Sequence, residues 1–150
     1  MAMFRALVLH EEGGKVVPRI EMVDEALLPA GEVTVAVECS TLNYKDGLIL
    51  QGLGRLVRAY PHIPGIDFAG TVEKSESPEF SPGDPVILTG WRVGEAQWGG
   101  YAEKARVKAS FLVRRQPIRP AGAAQLFDRA WRGRADRPRD ARGEAAATAR

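Results

Sequence analysis

EVTVAVECSTLNYKDGL, residues 32–48, carries the change of rhythm on which the fold turns. Its first eight residues alternate. Val33, Val35, Val37 and Cys39 fall on one side, and Glu32, Thr34, Ala36 and Glu38 on the other. A period of two predicts a half-buried strand. The same reading makes Cys39 a small buried hydrophobe at the strand's end. The alternation stops at Ser40. Tyr44 to Gln51 then predicts a short helix, closed by Gly52 and Gly54.

Working outward, strands are predicted on both sides. Met3 to Leu9 and Lys15 to Met22 flank Gly13-Gly14, a hairpin signal. Beyond the helix, Pro61 and Pro64-Gly65 punctuate a loop, and Asp67 to Lys74 reads as a strand containing Gly70. Ser81-Pro82-Gly83-Asp84 is a turn: Pro presets φ at the first central position and Gly accepts φ > 0 at the second. Val86 to Thr89, Tyr101 to Val107 and Phe111 to Val113 complete the set, and Pro85 is tolerable at a strand's first residue. Short strands with glycine turns predict a mainly β domain over residues 1–113, a sandwich or partly open barrel with one or two short helices.

The last 37 residues differ in kind. Residues 114–150 hold 10 Ala, 10 Arg, 3 Gly and 3 Pro, leaving 11 of other types. Residues 1–113 carry 11 basic and 15 acidic side chains, net −4, whereas 114–150 carry 10 Arg and 4 acids, net +6. The overall charge of +2 averages these unlike parts. Leu126, Phe127 and Trp131 form the one apolar stripe, on a weak helix over Ala123 to Arg132, and the rest reads as irregular and disordered. Such a tail would bind nucleic acid or acidic partners only loosely. Four acids dilute it and Phe127 and Trp131 are its only aromatics, so nucleic acid is not the expected partner.

A single cysteine excludes an internal disulfide and a Cys-rich zinc site, and suits a reducing cytoplasm. Arg5, Glu11 and Glu12 interrupt the N-terminal apolar run, so no signal peptide is expected there. No apolar stretch is long enough to span a bilayer.

Four phrases carry a family resemblance: STLNYKDGL (40–48), PHIPGIDFAGTV (61–72), SPGDPVILTGW (81–91) and VGEAQWGGYAEKARVK (93–108). In this order and spacing, residues 3–113 resemble the N-terminal, GroES-like domain of medium-chain dehydrogenase/reductases. The nearest likeness is to the zinc-free, NADPH-dependent quinone oxidoreductase and acrylyl-CoA reductase branch. The resemblance implies a GroES-like, partly open barrel. It also implies reduction of an activated C=C bond in acrylyl-CoA or a related enone or quinone, with NADPH as cofactor. Oligomers are possible in such enzymes. Where zinc-bearing members place a cysteine and a histidine ligand, this chain has Asn43 and Ile66, so the resemblance implies no metal.

The same resemblance nominates residues. Tyr44 matches a tyrosine that contacts NADPH and brings a phenol donor near the reaction; a plainer role is packing the helix against Leu48. Asn43 either donates an amide N–H to substrate or caps the helix. Lys45 and Asp46 form either a local surface pair or a solvated helix face, the solvated face being the expectation for Lys45, and Asp46 is also expected to lend structural support. Asp67, beside an apolar turn, is expected to anchor the Asn43–Asp46 segment. Trp91 and Trp98 either line a substrate pocket or pack as core. Left uncovered, Trp91, Trp98 and Phe111 would form an apolar patch. Arg92 stands where the family usually has glycine, so a positive φ there would strain it.

Family members continue into a Rossmann domain whose glycine-rich turn cradles the cofactor's phosphates. Gly122, Gly133 and Gly143 are too far apart for that turn. The expectation is that residues 114–150 are not native to the family. They read as a GC-rich gene out of frame near Arg114, or alternatively as a natural arginine-rich tail. On this reading the chain is an N-terminal fragment, inactive alone. The competing reading is a non-enzymatic binding protein acting through its basic tail.

Overall fold

The computed structural model describes residues 2–115. The expectations for the arginine–alanine tail past residue 115, including its helix, lie outside the described residues.

Strands β1 (Met3–Glu12) and β2 (Lys15–Asp24) form an antiparallel hairpin. Gly13 and Gly14 turn it with φ of +57° and +76°, the two positive angles that a tight two-residue hairpin loop requires. The remaining strands are β3 (Val33–Cys39), β4 (Asp67–Ser75), β5 (Pro85–Thr89), β6 (Lys104–Val107) and β7 (Leu112–Arg114). They make one antiparallel sheet in the order β6-β3-β4-β5-β7. One α-helix, α1 (Tyr44–Leu50), leaves the end of β3. The turn before β5 forms as read: Gly83 has φ +94°, and the Asp84 N–H donates to the Ser81 carbonyl at 3.0 Å.

The two sheets curve together without closing, so the mainly β, partly open architecture holds. Residues 101–103 are the seam. The Leu7 N–H donates to the Tyr101 carbonyl and the Glu103 N–H to the Arg5 carbonyl, while the Val37 N–H reaches the Glu103 carbonyl. The predicted strand over Tyr101–Val107 is therefore shorter, Lys104–Val107, because its first residues turn to the hairpin and pair only through an isolated bridge between Ala6 and Ala102.

β3 also departs from the half-buried reading. It is a central strand between β4 and β6, and Val33, Thr34 and Val35 are all buried. Thr34 is accommodated because its hydroxyl accepts from Arg106 Nε at 3.1 Å. A register shift between Val37 and Cys39 then swings the strand's end out of the core, leaving Cys39 exposed rather than buried. Opposite lies Gly70. A side chain there would run into the Ala36 backbone carbonyl, so the close pairing of β3 and β4 admits only glycine.

Three apolar clusters hold the domain. Val33, Val35, Phe68, Val72, Val86, Leu88 and Val107 centre the large sheet. Phe4, Val8, Val23 and Ile63 lie under the hairpin, and Leu9, Ile49 and Val57 seat α1.

Candidate active site

Antiparallel pairing gathers four chain segments at one end of the large sheet. β3 ends there at Cys39, β4 begins at Asp67, β5 ends at Thr89 and β7 begins at Leu112. The register joins them in a row through Cys39–Ala69, Asp67–Thr89 and Leu88–Leu112. Residues 40–46, Asp67, residues 90–92 and Phe111 therefore emerge together, although they are far apart in sequence.

Two carboxylates organise this end. Asp67 accepts the Thr41 backbone N–H at 2.9 Å, the Thr41 hydroxyl at 2.6 Å and the Asn43 amide at 3.1 Å. Ser40 donates its hydroxyl to the Asp67 carbonyl at 2.7 Å. Burial alone would raise the Asp67 pKa. The hydrogen bonds from Thr41, Asn43 and Ser40 outweigh it and hold the carboxyl below its ordinary value. Asp46 is fully buried. It accepts the Asn43 backbone N–H at 3.0 Å, the Asn43 side-chain amide at 3.2 Å and the Ile66 N–H at 3.1 Å. Among the described residues neither carboxylate has an ion-pair partner.

Asn43 thus sits at the N-cap of α1 with extended backbone angles, and its amide nitrogen faces two carboxylates and the Thr41 oxygen. The reverse amide orientation would aim a carbonyl at both carboxylates and be repelled. Both amide hydrogens are committed inward, and none is left for a substrate.

Tyr101 belongs to the same network, and sequence reasoning missed it. Its hydroxyl donates to the Thr41 carbonyl at 3.1 Å. Burial, with Asp46 and then Asp67 adding to it, pushes its pKa up to about 12, so the phenol remains a neutral donor. The only signal for it was a tyrosine directly after Gly99-Gly100.

Tyr44, the first residue of α1, is 85% exposed and lies on an outer apolar surface with Leu42 and Leu53. Lys45 does not pair with Asp46. It crosses to Glu95 at 2.9 Å, because Asp46 points into the core to collect backbone donors. A small, mostly apolar cleft of about 150 Å³ opens beside Ser40, Thr41, Asp67, Ile87 and Thr89, with Cys39 on its wall.

The two tryptophans are not brought together. Trp98 packs against the cluster under the hairpin and donates Nε1–H to the Pro61 carbonyl at 3.3 Å. Trp91 is 57% exposed and stacks on Phe111, with centroids 4.8 Å apart and planes 10° from parallel. The expected three-aromatic patch is thus a two-aromatic one. Gly90, Trp91 and Arg92 have φ of +85°, +56° and +57°. Left-handed backbone costs a non-glycine residue about 1–2 kcal/mol, and an aromatic stack returns only about 0.5–1.5 kcal/mol. The Arg92 guanidinium reaches toward Glu95 at 3.8 Å.

His62 is buried and donates Nε2–H to the Gly94 carbonyl at 2.8 Å, tying the loop after β5 to the body. Burial depresses its pKa, offset only in part by that bond, so it is neutral. His10 instead bonds Glu21. Asn43 and Ile66 carry neither an imidazole nor a thiolate. Among the described residues, no three His, Cys, Asp or Glu side chains form a metal-binding group.

A nicotinamide group has flat apolar faces and a carboxamide that both donates and accepts. The exposed Tyr44 phenol, the Leu42 and Leu53 surface and the open Trp91 ring are chemically suited to that end of the cofactor. Among the described residues there is no glycine-rich strand-to-helix turn to hold its phosphates.

Comparison with known proteins agrees with this architecture. Residues 29–117 match the alcohol dehydrogenase GroES-like domain. Acrylyl-CoA reductase AcuI of Ruegeria pomeroyi is 60% identical over 113 residues, covering 74% of this chain and 34% of that protein. The crystal structure of the yhdH oxidoreductase of Salmonella enterica in complex with NADP superposes with a TM-score of 0.74 at 52% identity, over 75% of this chain and 35% of that one. The Escherichia coli K-12 YhdH structure with bound NADPH gives a TM-score of 0.73 at 53% identity, over the same shares. The chain thus spans about a third of the length of the relatives it matches. It belongs to the alcohol dehydrogenase GroES-like domain family of the medium-chain dehydrogenase/reductases, in the branch of acrylyl-CoA reductases and quinone oxidoreductases.

Proposed function

We propose that this domain forms the substrate-side wall of an NADPH-dependent reductase of activated C=C bonds, with acrylyl-CoA or a related enone or quinone as acceptor, in a reducing cytoplasm and without zinc. The observation that carries the reading is the Asp46–Asp67 network. Two carboxylates satisfied by neutral donors lock the segment Ser40–Asp46 at the end of the sheet and present Tyr44 outward.

NADPH, when bound, supplies the hydride for the β-carbon of the acceptor. The protein's task is to orient the acceptor and to meet charge developing on its carbonyl oxygen. Tyr44 Oη is the donor available for that oxygen or for the nicotinamide carboxamide. Asn43, Asp46, Asp67 and Tyr101 act behind it, holding the segment in place rather than touching substrate. Fixed donors cost no reorganisation as charge develops, which is why a rigid support favours the reaction.

The 150-residue chain by itself is proposed to bind NADPH weakly and to turn over little. Loss of a positioned hydride donor forfeits on the order of 7–11 kcal/mol of proximity. NADPH oxidation with acrylyl-CoA, run beside a direct NADPH titration, tests this. Saturable binding with turnover sensitive to Tyr44→Phe would refute the inactivity of the isolated chain. A chimera carrying residues 1–113 in place of the matching third of the Ruegeria pomeroyi enzyme tests the reductase reading itself. Restored acrylyl-CoA reduction supports it, and a folded but inactive chimera counts against it.

A further inference from the structure

Three consecutive residues at the start of α1 point three ways, since each helical residue turns by about 100°. Tyr44 projects outward, and Asp46 is fully buried and takes the Ile66 N–H at 3.1 Å. Lys45, between them, reaches 50 residues along the chain to Glu95, at 2.9 Å. A cation this near a helix N-terminus lies at the wrong end of the helix dipole, so α1 itself gains nothing from Lys45. The Glu95 side chain is 10% exposed, a costly place for a carboxylate unless a cation and a fixed frame meet it. Arg92, at 3.8 Å, is too far to hydrogen-bond it, so Lys45 is its close partner. The frame is rigid. Val93 is fully buried, and His62 donates to the Gly94 carbonyl while the Gly94 N–H donates to the Gln97 carbonyl. A side chain at Gly94 or Gly99 would run into the Gly65 backbone, so this loop lies directly on the body of the domain.

We infer that Glu95 is a positioning residue for Tyr44. Acting through Lys45, it fixes the roll of α1 about its own axis, and with it the direction in which the Tyr44 phenol is presented. Asp46 and Ile49 hold the inner side of the helix. Contacts on one side resist lifting a short helix more than rolling it, and a tether about 100° around the axis stops the roll. The Lys45–Glu95 pair is that tether, and it is anchored in a different loop from the Asp46 bonds. The inference rests on the reductase reading for what Tyr44 does, and adds to it what aims the phenol.

The test follows the rings of Tyr44, Tyr60 and Tyr101 in the 150-residue chain by ¹H–¹³C NMR, with Tyr44 assigned through Tyr44→Phe. Glu95→Gln and Lys45→Met should each move the Tyr44 signals and leave those of Tyr60 and Tyr101 in place. Lys45→Arg, which keeps the ion pair, should leave all three where they are. The chimera carrying residues 1–113 gives the second readout. There Glu95→Gln should lower kcat about tenfold, because a misplaced donor costs rate, with KM changed by less than about twofold. Once Tyr44→Phe is present, Glu95→Gln should have no further effect, since a residue that acts through Tyr44 loses its influence with it. Unmoved Tyr44 signals overturn the inference. So does an equal loss of kcat in both backgrounds, which would make Glu95 a structural residue only. An inactive chimera, with the Tyr44 signals moved as expected, would count against the reductase reading and leave the tether standing.

Discussion

Two acid centres in this domain are satisfied in opposite ways. Glu25, in the turn after β2, is buried and takes two ammonium groups, Lys74 at 2.6 Å and Lys104 at 3.0 Å. Lys104 reaches Glu73 as well, at 2.7 Å, and its own pKa is raised chiefly by that bond. Asp46 and Asp67 receive only amide and hydroxyl hydrogens. The first centre is a closed ionic staple whose charges cancel across the hairpin–sheet seam. The second is held by neutral donors that fix the segment Ser40–Asp46 against the start of β4. Ion pairs tie the turn after β2 to the large sheet at the first centre, and neutral dipoles fix a loop at the second.

The comparison breaks most visibly at Asp46. Asp46→Ala leaves the Asn43 and Ile66 backbone N–H groups without their acceptor, and we expect a loss of about 2–4 kcal/mol in urea denaturation. A loss under 1 kcal/mol would mean that water replaces the carboxylate and that the centre is not rigid.

Glu25 should show its character through pH. Hydrogen bonds from Lys74 and then Lys104 lower its pKa from 4.5 to about 2. Because the folded pKa is the lower one, its stabilisation is fully present above pH 4.5 and is lost as pH falls toward 2. Glu25→Gln should cost about 1–3 kcal/mol at pH 7 and should flatten the melting-temperature profile between those limits. An unchanged acid limb in the variant would place the acid sensitivity elsewhere.

Tyr101→Phe removes one neutral donor from the Thr41 carbonyl, an expected cost of about 0.5–1.5 kcal/mol, with faster hydrogen exchange confined to residues 40–46. Exchange that quickens evenly across the domain would deny Tyr101 a local role. The smallest effect is expected of Lys74→Ala. Its side chain is 65% exposed, and Lys104 still serves Glu25, so about 0–1 kcal/mol is at stake, fading with added salt.

Much of the fold was legible because local rules are strong where the chain turns. Gly13-Gly14, Ser81–Asp84 and the Gly52 stop each require backbone angles that few residues accept, and each forms as read. Alternation located β3, yet it could not say that the strand is central, that Thr34 is buried or that a register shift expels Cys39. Those depend on what pairs on either side. The site was legible as a set of residue types and illegible as a set of bonds. Asn43 and Asp46 are three apart, but Asp67, which takes the Asn43 amide, lies 24 residues on, Ile66, which donates to Asp46, lies 20 residues on, and Tyr101 reaches Thr41 from 60 residues away. Lys45 finding Glu95 rather than Asp46 has the same origin.

What the sequence determined by itself is the mainly β domain, its turns, the short helix after residue 43 and, through four dense phrases, the family. These follow from periodicity, from glycine and proline geometry and from residue order, all of which are local. Tertiary structure alone decided that Asn43 spends its amide on two carboxylates, that Tyr101 joins them and that Trp91 stands apart from Trp98. Hydrogen-bond donors and ring faces are assigned only once antiparallel pairing brings the ends of β3, β4, β5 and β7 to one edge. A side chain's chemistry is fixed by its type, but its use is fixed by which distant groups reach it first.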